Sequence, residues 1–238
     1  MASSFFVGVD GIARSGKAIN VGVDGIARNV SAGFVGVDGI ARQFFASGKT
    51  LSEIALGASV YLPMTSTSYQ SEFVVVRYDS DGVWLMQKVL TDYVQYSSSD
   101  WDVLDYEYDE EYGDEWIRGI YPDRADIHVW MNGTFKSRIA SPVREKIIGQ
   151  ITGLKMSVAY PGIKSYIAYT TAGKAAAWWI WDCYYSSNWW SEASICAYMY
   201  DRYGKNKASG SLSPTNYARP FLKLPLTTPV DDGNNILY

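Results

Sequence analysis

The sequence predicts a β-rich α+β protein in two parts, a β-hairpin stem over residues 1–49 and a larger domain over residues 50–238. Three observations predict it. An octapeptide with a turn-forming Asp-Gly pair occurs three times near the N-terminus. Short β-prone runs bounded by turn residues fill much of the remaining chain, and few segments have helical periodicity. A content of 47% hydrophobic and 19% charged residues is typical of a globular chain with a substantial core.

The repeat is Val-Gly-Val-Asp-Gly-Ile-Ala-Arg, which begins at Val7 and recurs unchanged at Val21 and Val35. Self-similarity at a fixed spacing indicates one structural unit used three times. Asp-Gly between short apolar arms is a strong signal for a tight hairpin, because a type I′ turn needs positive φ at both central residues. We therefore expect three small hairpins.

A hairpin of this size cannot bury a core of its own, and an isolated two-stranded ribbon is marginal in water. Copies of the stem from several chains would stabilise one another around a common axis. We therefore expect a homo-oligomer, a trimer first of all, with a β-prism-like stem that also anchors the chain to other proteins. The alternative is a flexible leader, against which the alternating Val-x-Val pattern argues.

Charge and hydropathy exclude several classes of partner. The formal net charge is −4, and no large cluster of Lys and Arg occurs, so nucleic acid is not an expected partner. No apolar run is long enough to span a membrane. The N-terminus lacks the basic and apolar regions of a secretory signal, so we expect synthesis in the cytoplasm.

The larger domain is predicted to begin with a capped helical turn at residues 50–56, because Thr50 and Glu53 have capping-box spacing. Strands are predicted at residues 60–62, 72–78 and 82–86, the last two joined by a turn at residues 79–82. A helix from residue 126 is predicted to close at Asn132-Gly133. A second helix is predicted over residues 141–150, with Pro142 at its first position.

Residues 100–116 contain nine of the 25 acidic residues and no basic one. A calcium loop is one interpretation, since hard cations bind several carboxylate oxygens. The spacing is not that of a dedicated calcium loop, so we favour a solvated acidic flank and expect no cofactor.

Cys183, Cys196 and His128 are the remaining residues with metal or catalytic chemistry. We expect thiols rather than a disulfide, although the spacing leaves a bridge open in an oxidising setting. Two Cys and one His are too few for a zinc site. His128 has no companion motif, and we interpret it as structural. The chain also lacks the other common catalytic signatures, so we do not expect an enzyme.

The last third contains two predicted buried strands, residues 178–181 and residues 217–225, that enclose an insert at residues 182–216. Residues 160–203 hold 13 of the chain's 36 aromatic residues. Aromatic rings among Ser and Asn are typical of recognition surfaces, and we expect the insert to be a surface loop that binds a ligand. Any single ring could equally belong to the core. The candidate contacts are Trp181, Tyr184, Tyr185, Asn188, Trp189, Trp190, Tyr198, Tyr200, Asp201 and Tyr203.

The order of motifs in the larger domain resembles the phage-encoded DUF6273 family, from about residue 51 to residue 225. The resemblance rests on residues 51–57, 73–76, 84–86 and 127–135, and on Trp178-Trp179 followed by Ala218-Arg219-Pro220. It implies a C-type-lectin-like fold in which Trp178, Trp179 and Arg219 are structural. The repeats likewise resemble those found before such domains in phages of Gram-positive bacteria.

The resemblance implies a virion protein, on the tail or the head, that displays a lectin-like domain to a host receptor. Aromatic rings would stack on sugar faces while Ser and Asn donate and accept hydrogen bonds. The expected partners are other virion proteins, through residues 1–49, and host cell-surface carbohydrate or protein. The alternative is a structural or decoration protein whose aromatic residues pack on other virion subunits.

Overall fold

The computed structural model describes residues 5–9, 12–16, 19–23, 26–30, 32–37, 40–46, 49–99, 103–109, 114–186, 194–208, 212 and 215–237. Side chains are described within residues 49–99, 103–105, 120–183, 196–208, 212 and 215–237. Strands greatly outnumber helices in these ranges, which confirms the predicted β-rich class. No helix among the described residues has the length and apolar character needed to cross a membrane.

The three predicted hairpins are confirmed as three antiparallel pairs, each a separate two-stranded sheet. Val9 lies opposite Ile12, and the same register recurs in the next two repeats. The Asp-Gly residues of the turns lie outside the described ranges. The strands are β1 (Phe5–Val9), β2 (Ile12–Gly16), β3 (Ile19–Val23), β4 (Ile26–Val30), β5 (Ala32–Val37) and β6 (Ile40–Ala46).

A four-stranded antiparallel sheet forms one layer of the larger domain, in the order β21-β10-β9-β8. The predicted turn joins β9 to β10, with the backbone N–H of Asp79 donating to the carbonyl of Gly82 at 2.8 Å. The sheet thus brings β21, from near the end of the chain, beside the β9–β10 hairpin. Its strands are β8 (Ser59–Tyr61), β9 (Glu72–Tyr78), β10 (Val83–Gln87) and β21 (Phe221–Leu224).

A five-stranded sheet, in the order β12-β20-β17-β18-β19, includes the strands that the predicted insert forms. Its strands are β12 (Tyr93–Gln95), β17 (Trp178–Ser186), β18 (Ser194–Tyr200), β19 (Asn206–Ala208) and β20 (Thr215–Tyr217). Strands β17 and β20 are parallel, and the other pairs are antiparallel. The expectation that the insert is a surface loop was wrong for residues 182–186, because these Tyr, Cys and Ser residues continue β17 and pair with β18.

Smaller sheets close the domain. Lys49 pairs with Val230, which joins the beginning of the domain to its end. The acidic segment forms an antiparallel hairpin. These strands are β7 (Lys49–Thr50), β11 (Val89–Leu90), β13 (Leu104–Asp109), β14 (Asp114–Ile120), β15 (Ala168–Thr170), β16 (Ala175–Ala176) and β22 (Pro229–Val230).

Helical structure is short. The predicted capped turn is a 3-10 helix at Leu51–Glu53, in which the backbone N–H of Thr50 donates to Glu53 Oε2 at 2.6 Å. A second 3-10 turn covers Pro122–Arg124. Helix α1 (Asp126–Trp130) continues into a π-helical turn at Met131–Phe135, and α2 covers Ser141–Arg144.

Both helix ends differ from the sequence-based prediction. Asn132 does not cap a helix; its Nδ2 donates to the carbonyl of Ile151 at 2.9 Å and its Oδ1 accepts the Ile151 N–H at 2.8 Å. The chain therefore stays helical past Asn132, and Phe135 reaches the core. The second helix ends early, since the N–H of Ile148 donates to the carbonyl of Lys223 at 2.9 Å and so turns the chain toward β21.

Apolar side chains form two clusters. The larger includes Phe73, Val75, Leu85, Trp179 and Leu222, and the smaller includes Trp178, Ile180 and Phe221. Adjacent residues of one strand enter different clusters, because successive strand side chains point to opposite faces of the sheet. Strand β17 is thus buried on both faces at its beginning.

Candidate functional site

Strand pairing in the β17–β18 hairpin fixes how the predicted ligand contacts are distributed. Trp178 lies opposite Tyr200 at one end, and Ser186 lies opposite Ser194 at the other. The eight residue steps from Trp178 to Ser186 span roughly 26 Å. Tyr184 and Tyr185 therefore lie toward one end of the hairpin, whereas Asp201 and Tyr203 follow its other end.

Trp181 is the one candidate indole within the described side chains, and it is 9% exposed. Its ring centroid is 3.5 Å from that of His128, and the Lys155 ammonium lies 4.7 Å from its centroid. Its carbonyl accepts a hydrogen bond from the Tyr96 hydroxyl. A register shift between Trp179 and Cys183 accompanies this inward placement. Trp181 is thus a buried side chain with little surface left for a ligand.

Tyr198 and Tyr200 are half-buried against the smaller apolar cluster. The Tyr200 ring stacks on Tyr166 with a centroid distance of 4.3 Å and an interplanar angle of 7°. Burial, with a smaller contribution from Tyr166, raises the pKa of Tyr200 to about 12. The stacked Tyr166 ring therefore covers one face of Tyr200.

Asp201 and Tyr203 lie in the turn between β18 and β19. The Asp201 carboxylate accepts the backbone N–H groups of Lys205 and Tyr203, both at 2.9 Å, and these bonds lower the pKa of Asp201. Gly204 completes the turn with a φ of +73°, which favours glycine. Asp201 therefore shapes the turn, whereas Tyr203 projects from it with 62% exposure.

Tyr203 is the candidate that the described structure leaves most accessible. Arg202 covers one part of it, with the guanidinium carbon 4.8 Å from the ring centroid and Nη2 donating to the hydroxyl at 2.7 Å. The side chains of Tyr184 and Tyr185, and all of Asn188, Trp189 and Trp190, lie outside the described residues.

Cys183 and Cys196 do not form a disulfide with each other, as predicted. Cys183 pairs with Ala197, the neighbour of Cys196 on the opposing strand. Directly opposed residues share a face and successive residues alternate, so the two thiols lie on opposite faces of the sheet. The hairpin register therefore keeps them from bridging.

Trp178, Trp179 and Arg219, which the resemblance implies are structural, are all buried. Trp178 donates from Nε1 to the carbonyl of Tyr166 at 2.9 Å, and Trp179 donates to the carbonyl of Val94 at the same distance. Both indole N–H groups are thus satisfied by the protein itself, as buried polar groups require.

Polar side chains also converge on a pocket that the sequence did not indicate. Its volume is about 200 Å³, and it lies between the segment before β9, the segment after β10 and the end of the first helix. The residues that line it are Met64, Ser68, Tyr69, Gln70, Gln87, Thr91, Asp92, Phe135 and Arg138. They are spread between residues 64 and 138 without a motif, so no sequence pattern predicts the pocket.

Among the side chains that the structure describes, no group of three or more His, Cys, Asp or Glu is placed to hold a metal ion. The acidic segment considered for calcium forms β13 and β14, but most of its side chains lie outside the described ones. The calcium interpretation therefore stays untested.

Comparison with known proteins gives no relative from which a function could be transferred. No family model, no curated protein and no solved structure matches the chain.

Proposed function

We propose that the chain is a phage virion surface protein, on the tail or the head, that displays a C-type-lectin-like domain for binding a host receptor or cell-surface glycan. The observation that carries the proposal is the stem. Three identical octapeptides form three hairpins, each of them its own two-stranded sheet.

Repeated, separate ribbons are typical of a segment whose partners are other chains. A two-stranded ribbon is marginal in water unless a further apolar surface covers it. Copies of the same segment from neighbouring chains supply such a surface, and repetition lets each hairpin make the same contact. We infer a homotrimer whose stem also attaches it to the virion.

A trimer displays three copies of whatever the larger domain binds. Tyr203, on the turn after β18, is exposed and held in place by Arg202. Exposed tyrosines on rigid turns bind sugar faces and protein pockets at small entropic cost. Three linked sites raise a weak single-site affinity by orders of magnitude, which suits attachment to a repetitive cell envelope.

The oligomeric state tests the stem. Light scattering on the purified full chain is expected to give three times the 26.5 kDa mass of one chain. Replacing Val7, Val21 and Val35 together by Asp places charge on the same position of each hairpin and is expected to give monomers. A wild-type chain that is monomeric at micromolar concentration would remove the basis for the stem.

Glycan-array binding and pull-down on bacterial envelopes test the receptor function. Tyr203→Ala, and separately Trp189→Ala with Trp190→Ala, are expected to weaken binding by the full chain. Tyr93→Ala is the matched control, since Tyr93 is 61% exposed on a different strand. Binding to phage particles but to no glycan and no envelope would favour the decoration alternative.

A further inference from the structure

Backbone hydrogen bonds connect two of the chain segments that form the pocket of Gln87, Asp92 and Arg138. The N–H of Thr65 donates to the carbonyl of Arg138 at 2.7 Å, and the N–H of Ala140 donates to that of Pro63 at 2.9 Å. These bonds connect the segment before β9 with the chain that follows the π-helical turn. The polar groups that line the pocket are therefore pre-positioned, as recognition of a small ligand requires.

Arg138 and Asp92 form the charged wall of the pocket. Arg138 Nη1 lies 2.8 Å from each carboxylate oxygen of Asp92, and both side chains are 19% exposed. The guanidinium carbon also lies 4.9 Å from the Tyr69 ring centroid and 5.5 Å from that of Trp130. The charges of Arg138 and Asp92 cancel, and the two aromatic rings hold the guanidinium in place. The ion pair can therefore form hydrogen bonds of fixed direction with a ligand, without favouring a charged one.

Gln87 supplies an observation that points to a ligand. Its side chain lines the pocket, yet the residue is only 1% exposed. Its Nε2 reaches Thr91 Oγ1 at 3.4 Å, while its Oε1 has no hydrogen-bond partner among the described residues. A buried acceptor without a donor is costly and uncommon in folded proteins, and a ligand hydroxyl or amide N–H would satisfy it.

We propose that this pocket binds a single neutral sugar ring. A volume of about 200 Å³ is below the roughly 300–1,000 Å³ typical of pockets for drug-sized ligands, so the ligand is small. The carboxylate of Asp92 and Oε1 of Gln87 accept, and Arg138 donates, which suits several hydroxyl groups on one ring. Tyr69, at 37% exposure, lies at the rim as an aromatic surface for a sugar face.

The pocket is built from residues other than the aromatic candidates of the β17–β18 hairpin. The inference rests on the proposed carbohydrate-binding function only for the class of ligand. Variants of the pocket therefore test the sugar site, and variants of Tyr203 separately test the proposed receptor-binding surface.

Saturation-transfer NMR on the full chain tests the proposal with glucose, galactose, mannose and N-acetylglucosamine as probes, and with glycine as a zwitterionic comparison. At least one sugar is expected to receive saturation at millimolar concentration. Gln87→Leu keeps the side-chain size and removes the acceptor, so it is expected to weaken that sugar's affinity about tenfold, the effect of one lost hydrogen bond. Its melting temperature is expected to stay equal or rise, because the unpartnered oxygen is gone.

Gln95→Leu is the matched control, since Gln95 lies on β12 and its Nε2 donates to the Ser97 carbonyl at 3.1 Å. It is expected to leave sugar binding unchanged. Tyr69→Ala provides a second pocket variant should Gln87→Leu fail to fold, and it is also expected to weaken binding. Saturation of no sugar, saturation of glycine alone, or undiminished binding by both pocket variants would each overturn the proposal. Loss of binding with Tyr203→Ala but not with either pocket variant would assign the sugar to the hairpin instead.

Discussion

The guanidinium carbon of Arg219 lies 4.7 Å from the centroid of the Trp178 ring, and both side chains are buried. Arg219 Nε donates to the carbonyl of Gln87 at 3.0 Å, and Nη2 reaches that of Lys88 at 3.4 Å. One side chain thus connects the five-stranded sheet with the end of β10. The apolar surroundings also lower the pKa of Arg219 to about 9, through loss of solvation.

Arg219→Ala is expected to destabilise the chain by about 3 kcal/mol or more, because it removes the donor to the buried carbonyl of Gln87 and leaves a cavity beside Trp178. Urea unfolding monitored by tryptophan fluorescence measures this. Arg202→Ala is the control, since Arg202 stacks on the exposed Tyr203, and a change within about 0.5 kcal/mol is expected there. Equal effects of the two substitutions would contradict the structural role of Arg219.

Two glycines give opposite expectations for the same substitution. A Cβ at Gly162 would lie 2.3 Å from the carbonyl oxygen of Val75 and 2.7 Å from Cα of Val76, so Gly162→Ala requires the backbone of β9 to move. A loss of about 3 kcal/mol or more is expected. A Cβ at Gly133 meets nothing within 4 Å, and Gly133→Ala within helical backbone is expected to gain about 0.5–1 kcal/mol. Thermal unfolding of both variants checks the pair, and a tolerated Gly162→Ala would contradict the close approach.

Asp79, in the turn after β9, is the centre of a small charged network that joins β9, β10 and β21. Its carboxylate lies 2.6 Å from Arg77 Nε and 3.1 Å from Lys223 Nζ, and it accepts from Trp84 Nε1 at 2.7 Å. Partial burial raises the pKa of Asp79, but hydrogen bonds from Arg77, Trp84 and Lys223 outweigh it and lower the pKa to about 2. The stability that this carboxylate contributes is present above about pH 4 and is lost as the pH falls through about 2.

Asp79→Asn is accordingly expected to cost on the order of 2 kcal/mol at pH 7 and much less at pH 2. Denaturant unfolding at the two pH values measures the difference. Asp81→Asn removes a carboxylate that also contacts Lys223 but is 54% exposed, so a change below about 1 kcal/mol is expected. A cost for Asp79→Asn that does not depend on pH would contradict the network.

Local signals explain which parts of the fold the sequence predicts well. Asp-Gly spacing predicts the three stem hairpins, and Thr50 with Glu53 predicts the capped turn, because each involves residues a few positions apart. The helix end at Asn132 is mispredicted because the side-chain amide of Asn132 forms two hydrogen bonds with the backbone of Ile151, nineteen residues away. Asn is common at helix ends, but here a tertiary contact uses its side chain instead.

The candidate site is harder to predict for the same reason. Trp181 is of a residue type common on recognition surfaces. It lies on a strand that is covered on both faces, however, and its ring packs against His128. The pocket at Gln87 combines three segments that only the folded chain brings together. An unpartnered buried oxygen is a property of the packed structure, and no residue pattern reveals it in advance.

The buried His128 makes the stability of the fold depend on pH. It is the only histidine in the chain, it is 2% exposed, and neither ring nitrogen has a partner among the described residues. Burial, with a smaller contribution from the Lys155 charge, lowers the pKa of His128 from 6.5 to about 3. The unfolded chain therefore binds a proton between these values while the folded chain does not. The free energy of unfolding therefore carries no penalty from His128 above about pH 6.5, and it decreases as the pH drops toward 3.

His128→Leu removes the titrating ring at similar size. It is expected to leave the free energy of unfolding at pH 7 equal or higher, since two unpartnered nitrogens are replaced by an apolar side chain. At pH 4 the variant is expected to exceed the wild type by about 3 kcal/mol. Urea unfolding across this range measures the difference, in which the carboxylates common to both proteins cancel. An imidazole NMR signal that titrates near pH 6.5 in the folded chain would contradict the burial of His128, because only a solvated ring keeps its ordinary pKa.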